Sequence, residues 1–171
     1  MYKFLIALCC ATALTTSAAF GLDLTAEWEA LGRTYILSCQ SNNTLDIAPL
    51  RGLYTDDAVE VFFSPRAAPR VTVGAAAIEE NAERNFRRMR QGNVKSVLRY
   101  KIVDRQEQNG TVVDRGFYRI QGMGPHGEMD EIGRVVIVQR KGADGRWRQQ
   151  FHGNVPATRE EFEAAEAIAL Y

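Results

Sequence analysis

Leu24, Trp28, Leu31, Tyr35 and Cys39 recur at spacings of four and three. This puts five side chains on one face of a helix. Thr25 is placed to cap it, and Glu27 and Glu29 stand in its first turn, where carboxylates complement the helix dipole. The polar run "QSNNT", residues 40–44, predicts its end. A short second helix is expected next, with Ile47, Leu50 and Leu53 or Tyr54 on its inner side. Pro49 is tolerable there only near the helix start. Residues 59–63 are β-branched and aromatic and predict a strand. "SPRAAPR" predicts a loop. Gly74 leads into a third helix with the apolar stripe Ile78, Ala82, Phe86 and Met89, closed by Gly92.

The next stretch, "VKSVLRYKIVDRQEQNGTVVDRGFYRIQGM", centres on Asn109-Gly110, a strong hairpin signal. A two-residue loop there pairs Asp104 with Arg115 and Arg105 with Asp114, both of opposite charge. Continued without interruption, the register puts Tyr100 and Ile102 on one face with Phe117. Val103, Tyr118 and Ile120 then fall on the other. Both faces are partly apolar, as in a sheet covered on both sides. "GMGPHG" and "GADG" predict turns, with strands over residues 132–141 and 147–152. Simple alternation sets His152 with Arg148 and Gln150, away from Trp147 and Phe151. Thr158 and Glu161 form a capping box that opens a final helix, with Phe162, Ala165 and Ile168 on one side. The order predicts an α+β domain with helices packed on one face of a curved antiparallel sheet.

The chain of 171 residues carries a formal net charge of +0. That length suits one domain. The balance argues against a general nucleic-acid binder and against a polybasic membrane-surface protein. Lys3, an apolar run from Phe4 to Leu14, and the small residues Ser17, Ala18 and Ala19 read as a secretory signal peptide over residues 1–19. The run is short for a membrane span. A secreted or periplasmic protein without a stable membrane anchor is therefore expected. Its removal leaves Cys39 without an internal disulfide partner, and a lone helical Cys behaves as a small buried hydrophobe. Asn42 and Asn109 head Asn-x-Thr sequons.

"LYTDDAVEVFF", "GAAAI", "DRGFYRI", "GRVVIVQRKGADGRW" and a trailing "GN" follow in an order and spacing that resembles the nuclear transport factor 2-like superfamily. The likeness is to its SnoaL-like and ketosteroid-isomerase-like small domains of largely unknown function. It covers residues 22–154, and residues 155–171 stand outside it as a C-terminal helical extension. The resemblance implies a cystatin-like cone: a strongly bent antiparallel sheet wrapped round three N-terminal helices, with a pocket at its wide end. Relatives include isomerases, cyclases, dehydratases, epoxide hydrolases and proteins without chemistry, so fold does not settle function. Laid against the steroid isomerases, Asp56 and Asp57 match the acidic turn before the first strand. Phe62 stands at the general-base position, the second acid falls near Ile137, and Tyr35 matches the helix-one tyrosine. Asp56 and Asp57 are then expected as turn residues closing onto nearby amides. Turnover of simple ketosteroids is not expected without that base and oxyanion donor.

Pocket candidates are Tyr35, Tyr54, Phe62, Tyr100, Asp114, Tyr118 and Trp147, whose elements the resemblance places around one cone. Aromatic walls with a few polar tips suit a small apolar ligand; the same rings also serve as plain core. Glu60 shares Phe62's side of the strand, as a displaced base or as a carboxylate facing water. Asp114 is a pocket acid or the partner of Arg105. No Gly-rich phosphate loop, nucleophile elbow or CxxC motif occurs, so no cofactor is implied. Two distant histidines, His126 and His152, do not suggest a metal. Two functions fit: a protein that binds a small apolar molecule or serves as an interaction module, and an isomerase, dehydratase or cyclase with an unrecognised acid/base group. A His or carboxylate facing the cavity with a shifted pKa favours the second. Apolar residues on both sheet faces predict a homodimer through the outer one.

Overall fold

The computed structural model describes residues 24–64 and 67–171; the predicted signal peptide lies outside them. The first apolar stripe forms helix α1 (Leu24–Thr44), with Leu31, Tyr35 and Cys39 buried. The helix does not stop at "QSNNT". Its polar residues bond across to the sheet instead: Asn43 Oδ1 accepts from the Leu98 amide at 2.7 Å, and Asn42 Oδ1 from Ser96 Oγ at 3.2 Å. Tertiary bonds thus override a weak local preference. Thr25 lies inside the helix rather than capping it. The second helix shrinks to one 3-10 turn, Ala48–Leu50, with Pro49 early in it.

Strand β1 (Tyr54–Ser64) begins five residues before the predicted one, so Asp56 and Asp57 lie in a strand and not in a turn. The "AAP" of the expected loop belongs to β2 (Ala67–Val73). Pro69 is tolerated there because β2 is an edge strand. Helix α2 (Ala75–Gln91) buries Ile78 and Phe86. Strands β3 (Lys95–Gln108), β4 (Thr111–Gly124), β5 (Gly127–Lys141) and β6 (Trp147–Pro156) form the meander. Helix α3 (Arg159–Ala164) opens with the predicted capping box but lasts six residues. The chain then extends, and β7 (Ala169–Leu170) joins the sheet beside β3. Residues 155–171 are therefore not simply helical, and Ile168 is exposed rather than on a helical face. Lys101 Nζ donates to the carbonyls of Phe162 and Ala165, and the Tyr171 ring stacks on Tyr35 at 4.8 Å. These contacts favour the extended path.

The seven strands run in the order β2-β1-β6-β5-β4-β3-β7, with β1 and β6 parallel and every other pair antiparallel. This is the expected α+β cone. Its core holds Tyr35, Cys39, Leu98, Tyr100, Ile102, Tyr118, Val135 and Ile137 between α1 and the sheet. A second cluster, with Leu50, Tyr54 and Phe86, lies under α2.

Two bulges decide which side chains face inward. Asn109 and Gly110 have φ of 51° and 71°, the type I′ turn that the pair favours, and Asp104↔Arg115 and Arg105↔Asp114 pair as predicted. Past them the ladder slips: Ile102 faces Gly116 and Tyr100 faces Tyr118, leaving Val103 as an extra residue. A one-residue slip exchanges the two faces of a strand. Tyr100, Ile102 and Tyr118 thus share the inner face, and Phe117 turns outward under Phe162 of α3, 6.0 Å between ring centres. In β6, Val138 faces Phe151 while Gln139 faces Gln149, so Gln150 is the extra residue. His152 consequently lies on the inner side with Gln149, the reverse of simple alternation.

Candidate functional site

The inner face, the C-terminal half of α1 and the inner side of α2 enclose a cavity of about 390 Å³. Phe62, Phe86, Leu98 and Ile120 supply apolar wall. Its polar groups come from strands β1 to β6 and from α1 and α2. The parallel pairing of β1 and β6 sets Glu60 directly beside His152. Burial lowers the imidazole pKa of His152 below its ordinary value of 6.5, while the Glu60 charge pulls weakly the other way. The ring is therefore neutral at pH 7 and free to take up a proton. Tyr100 lies next to it, 6.5 Å between ring centres. Burial raises the Tyr100 phenol pKa well above 10, so the hydroxyl remains a donor. Neither the His152 imidazole nor the Tyr100 hydroxyl has a hydrogen-bond partner among the described residues.

Tyr118 differs. Its hydroxyl donates to Glu131 at 2.7 Å and accepts from Asn154 Nδ2 at 3.1 Å, so it is fully engaged. The ring lies over Gly133, where a Cβ would meet its Cζ at 2.7 Å. At the mouth, Arg70 reaches Glu60 at 3.5 Å and lies 5.5 Å from the centre of the Phe62 ring.

Of the seven candidate residues, Phe62, Tyr100 and Tyr118 line this cavity. The other four do not. Tyr35 is wholly buried deeper in the cone, and its hydroxyl donates to Asp114 at 2.5 Å. Asp114 also accepts from Arg105 at 2.6 and 2.9 Å and from Gln139 at 3.3 Å. It is the anchor of a buried network, not a pocket acid. Tyr54 packs in the cluster under α2. Trp147 closes the far end with Leu31 and Val112, and its indole donates to Glu27 at 2.9 Å. Asp56 and Asp57 are exposed; the neighbouring Thr55 hydroxyl and a bond from Gln150 hold the Asp57 carboxyl below its usual range. Burial pushes the Cys39 thiol up to about 11, which makes it a core residue rather than a nucleophile. Glu60 is legible in the sequence as a candidate; His152, which simple alternation sets on the other face, and Glu131, Asn154 and Arg70 are not. Glycines within the strands, Gly116 and Gly153, are the available signal.

No family model matches the chain, and no curated protein does. Solved structures do. A function-unknown protein from Mycobacterium tuberculosis aligns with a TM-score of 0.63 at 17% identity, covering 83% of each chain. ActVI-ORFA from Streptomyces coelicolor aligns at 0.62 and 13% identity, over 77% of this chain and 97% of its own. An uncharacterized protein with a cystatin-like fold from Caulobacter vibrioides aligns at 0.57 and 13% identity, over 78% and 91%. Identities this low speak for fold alone. With its bent seven-stranded sheet wrapped round α1 and α2, the chain has a cystatin-like fold, the fold that the sequence resemblance implied.

Proposed function

We propose that the cavity binds a small, largely apolar molecule bearing a carbonyl or hydroxyl group, and that His152 moves a proton on it. The observation that carries this reading is a neutral imidazole facing the cavity with the Glu60 carboxylate beside it. An apolar wall suits the body of such a molecule. Tyr100 donates to its oxygen, His152 takes the proton, and Glu60 steadies the imidazolium that forms. Isomerisation, dehydration and aldol-type cyclisation next to a carbonyl each have a route that begins with such a transfer. A positioned base contributes about 10²–10⁴-fold in rate. The base sits on a different strand from the one the family resemblance implied.

Two probes test it without knowledge of the natural substrate. 2-Naphthol should bind saturably, one per chain. 2-Tetralone in heavy water should exchange its C1 hydrogens faster with the protein than without it, and His152→Gln should remove at least about 10²-fold of that gain. Binding without accelerated exchange would leave a binding protein only. Failure of both would remove the cavity as a functional site.

The same proposal includes export and self-association. The N-terminal pattern points to a mature chain starting near Phe20 outside the cytoplasm, and no helix among the described residues is long and apolar enough to cross a membrane. On the outer face, Val71, Val73, Val136 and Val155 are 61, 64, 37 and 43% exposed, with Val59, Val61 and Phe151 between them. Helix α3 covers the β3–β4 side instead, through Phe162. A second copy is the proposed cover, since a patch of this kind marks a contact site. Light scattering at micromolar concentration should give twice the chain mass, and Val136→Lys should return it to one. Monomer mass for the unaltered chain would refute the dimer.

A further inference from the structure

The cavity's mouth suggests what its ligand carries, an inference that rests on the proposed function of that cavity. Arg70 is the only cation lining it among the described residues. Its cross-strand partner is Phe62, so its side chain lies over that ring and across the entrance. It meets Glu60 through one nitrogen at 3.5 Å. Three other arginines of this protein grip their carboxylates differently. Arg105 grips Asp114 at 2.6 and 2.9 Å, Arg119 grips Asp130 at 2.7 and 2.9 Å, and Arg148 grips Asp144 at 2.9 and 2.7 Å, each with two nitrogens. A guanidinium has five N–H donors in a planar fork matched to a carboxylate. Arg70 uses one of them, weakly, and its side chain is 51% exposed.

We propose that the ligand carries a carboxylate, which Arg70 holds at the mouth while the apolar body passes inward between Phe62 and Phe86 to place its reactive part at Tyr100 and His152. The two acidic residues of the wall do not oppose this. Glu60 already faces Arg70, and Glu131 accepts the Tyr118 hydroxyl away from that contact. Asn85 also lines the cavity and donates only to the Met89 sulfur at 3.5 Å, a weak bond that a carboxylate oxygen can replace.

Cinnamate, cinnamyl alcohol and cinnamylamine share one skeleton and differ in the terminal group, so calorimetric titration with the three separates the possibilities. Cinnamate should bind about tenfold or more tighter than the alcohol, as a charge-assisted two-point contact requires. Arg70→Gln should bring the two together, and Arg70→Lys should restore part of the gap. Equal affinities for cinnamate and alcohol would overturn the carboxylate while leaving the cavity as a binding site. Tightest binding of the amine would overturn it in favour of an ammonium group held by Glu60 and Glu131. Binding of none would overturn both this inference and the reading of the cavity.

Discussion

Asp114→Ala should destabilise the fold by about 3–5 kcal/mol, the usual consequence of removing one partner from a buried ion pair. Asp114 and Arg105 have side chains 0 and 4% exposed, so the guanidinium left behind would have neither water nor a counter-charge. The Tyr35 hydroxyl and the Gln139 amide would each lose an acceptor as well. One nitrogen of Arg105, Nη1, is already buried without a hydrogen bond. Tyr35→Phe should cost less, about 1.5–3 kcal/mol for a hydrogen bond to a charged group, because Asp114 keeps its Arg105 fork. Urea unfolding of the three proteins orders them. Equal losses for Asp114→Ala and Tyr35→Phe would show that the ion pair is not the anchor.

Gly116→Ala should be nearly as damaging, at or above the upper end of the ~1–3 kcal/mol typical of overpacking. Gly116 stands opposite Ile102, next to the Val103 bulge. A Cβ there would collide with the Lys101 carbonyl oxygen and lie 2.9 Å from the Ile102 Cα. Both obstacles are backbone, so no side chain can swing aside and the strands would have to part. The same substitution at Gly110, which meets nothing within 4 Å, adds no such collision and costs only the strain of φ +71°. Comparison of the two melting temperatures checks this; similar losses would mean that the close approach at Gly116 is relieved without moving the strands.

Periodicity and end signals were enough for α2, the buried stripe of α1, the type I′ hairpin and the Thr158 capping box, because each is written in neighbouring residues. The path of the sheet past its bulges was not. Val103 and Gln150 carry no local mark of being extra residues. The marks stand elsewhere: Gly116 across the ladder from the first, and Gly153 three residues beyond the second. A glycine inside a strand pattern signals a bulge or a close backbone approach. Read so, they would have placed Tyr100 with Tyr118, and His152 with Gln149. The charge pairing of Arg105 with Asp114 was legible. Its meaning was not, because Tyr35 and Gln139, which turn the pair into a buried network, arrive from distant elements. The strand β7 is two residues long and depends wholly on contact with β3, so no local pattern could announce it.

The His152 imidazole also links the cavity to stability. Its folded pKa is lowered, so the unfolded chain binds the proton first as pH falls. Stability should therefore be fully present above about pH 6.5 and be lost as pH drops from there towards the folded value. His152→Gln should flatten that part of the profile.

A bulge in β6 turns His152 into the cavity beside Glu60, neutral and able to accept a proton. The chain has two histidines, and His126 lies in the exposed turn after β4, so NMR titration of the imidazole carbons resolves His152 directly. The His152 midpoint should lie below 6.5 and move lower still in Glu60→Gln as the favourable charge is lost, and the His152 signal should shift when 2-naphthol is added. A midpoint at or above 6.5, indifferent to Glu60 and to the added naphthol, would contradict this placement of His152.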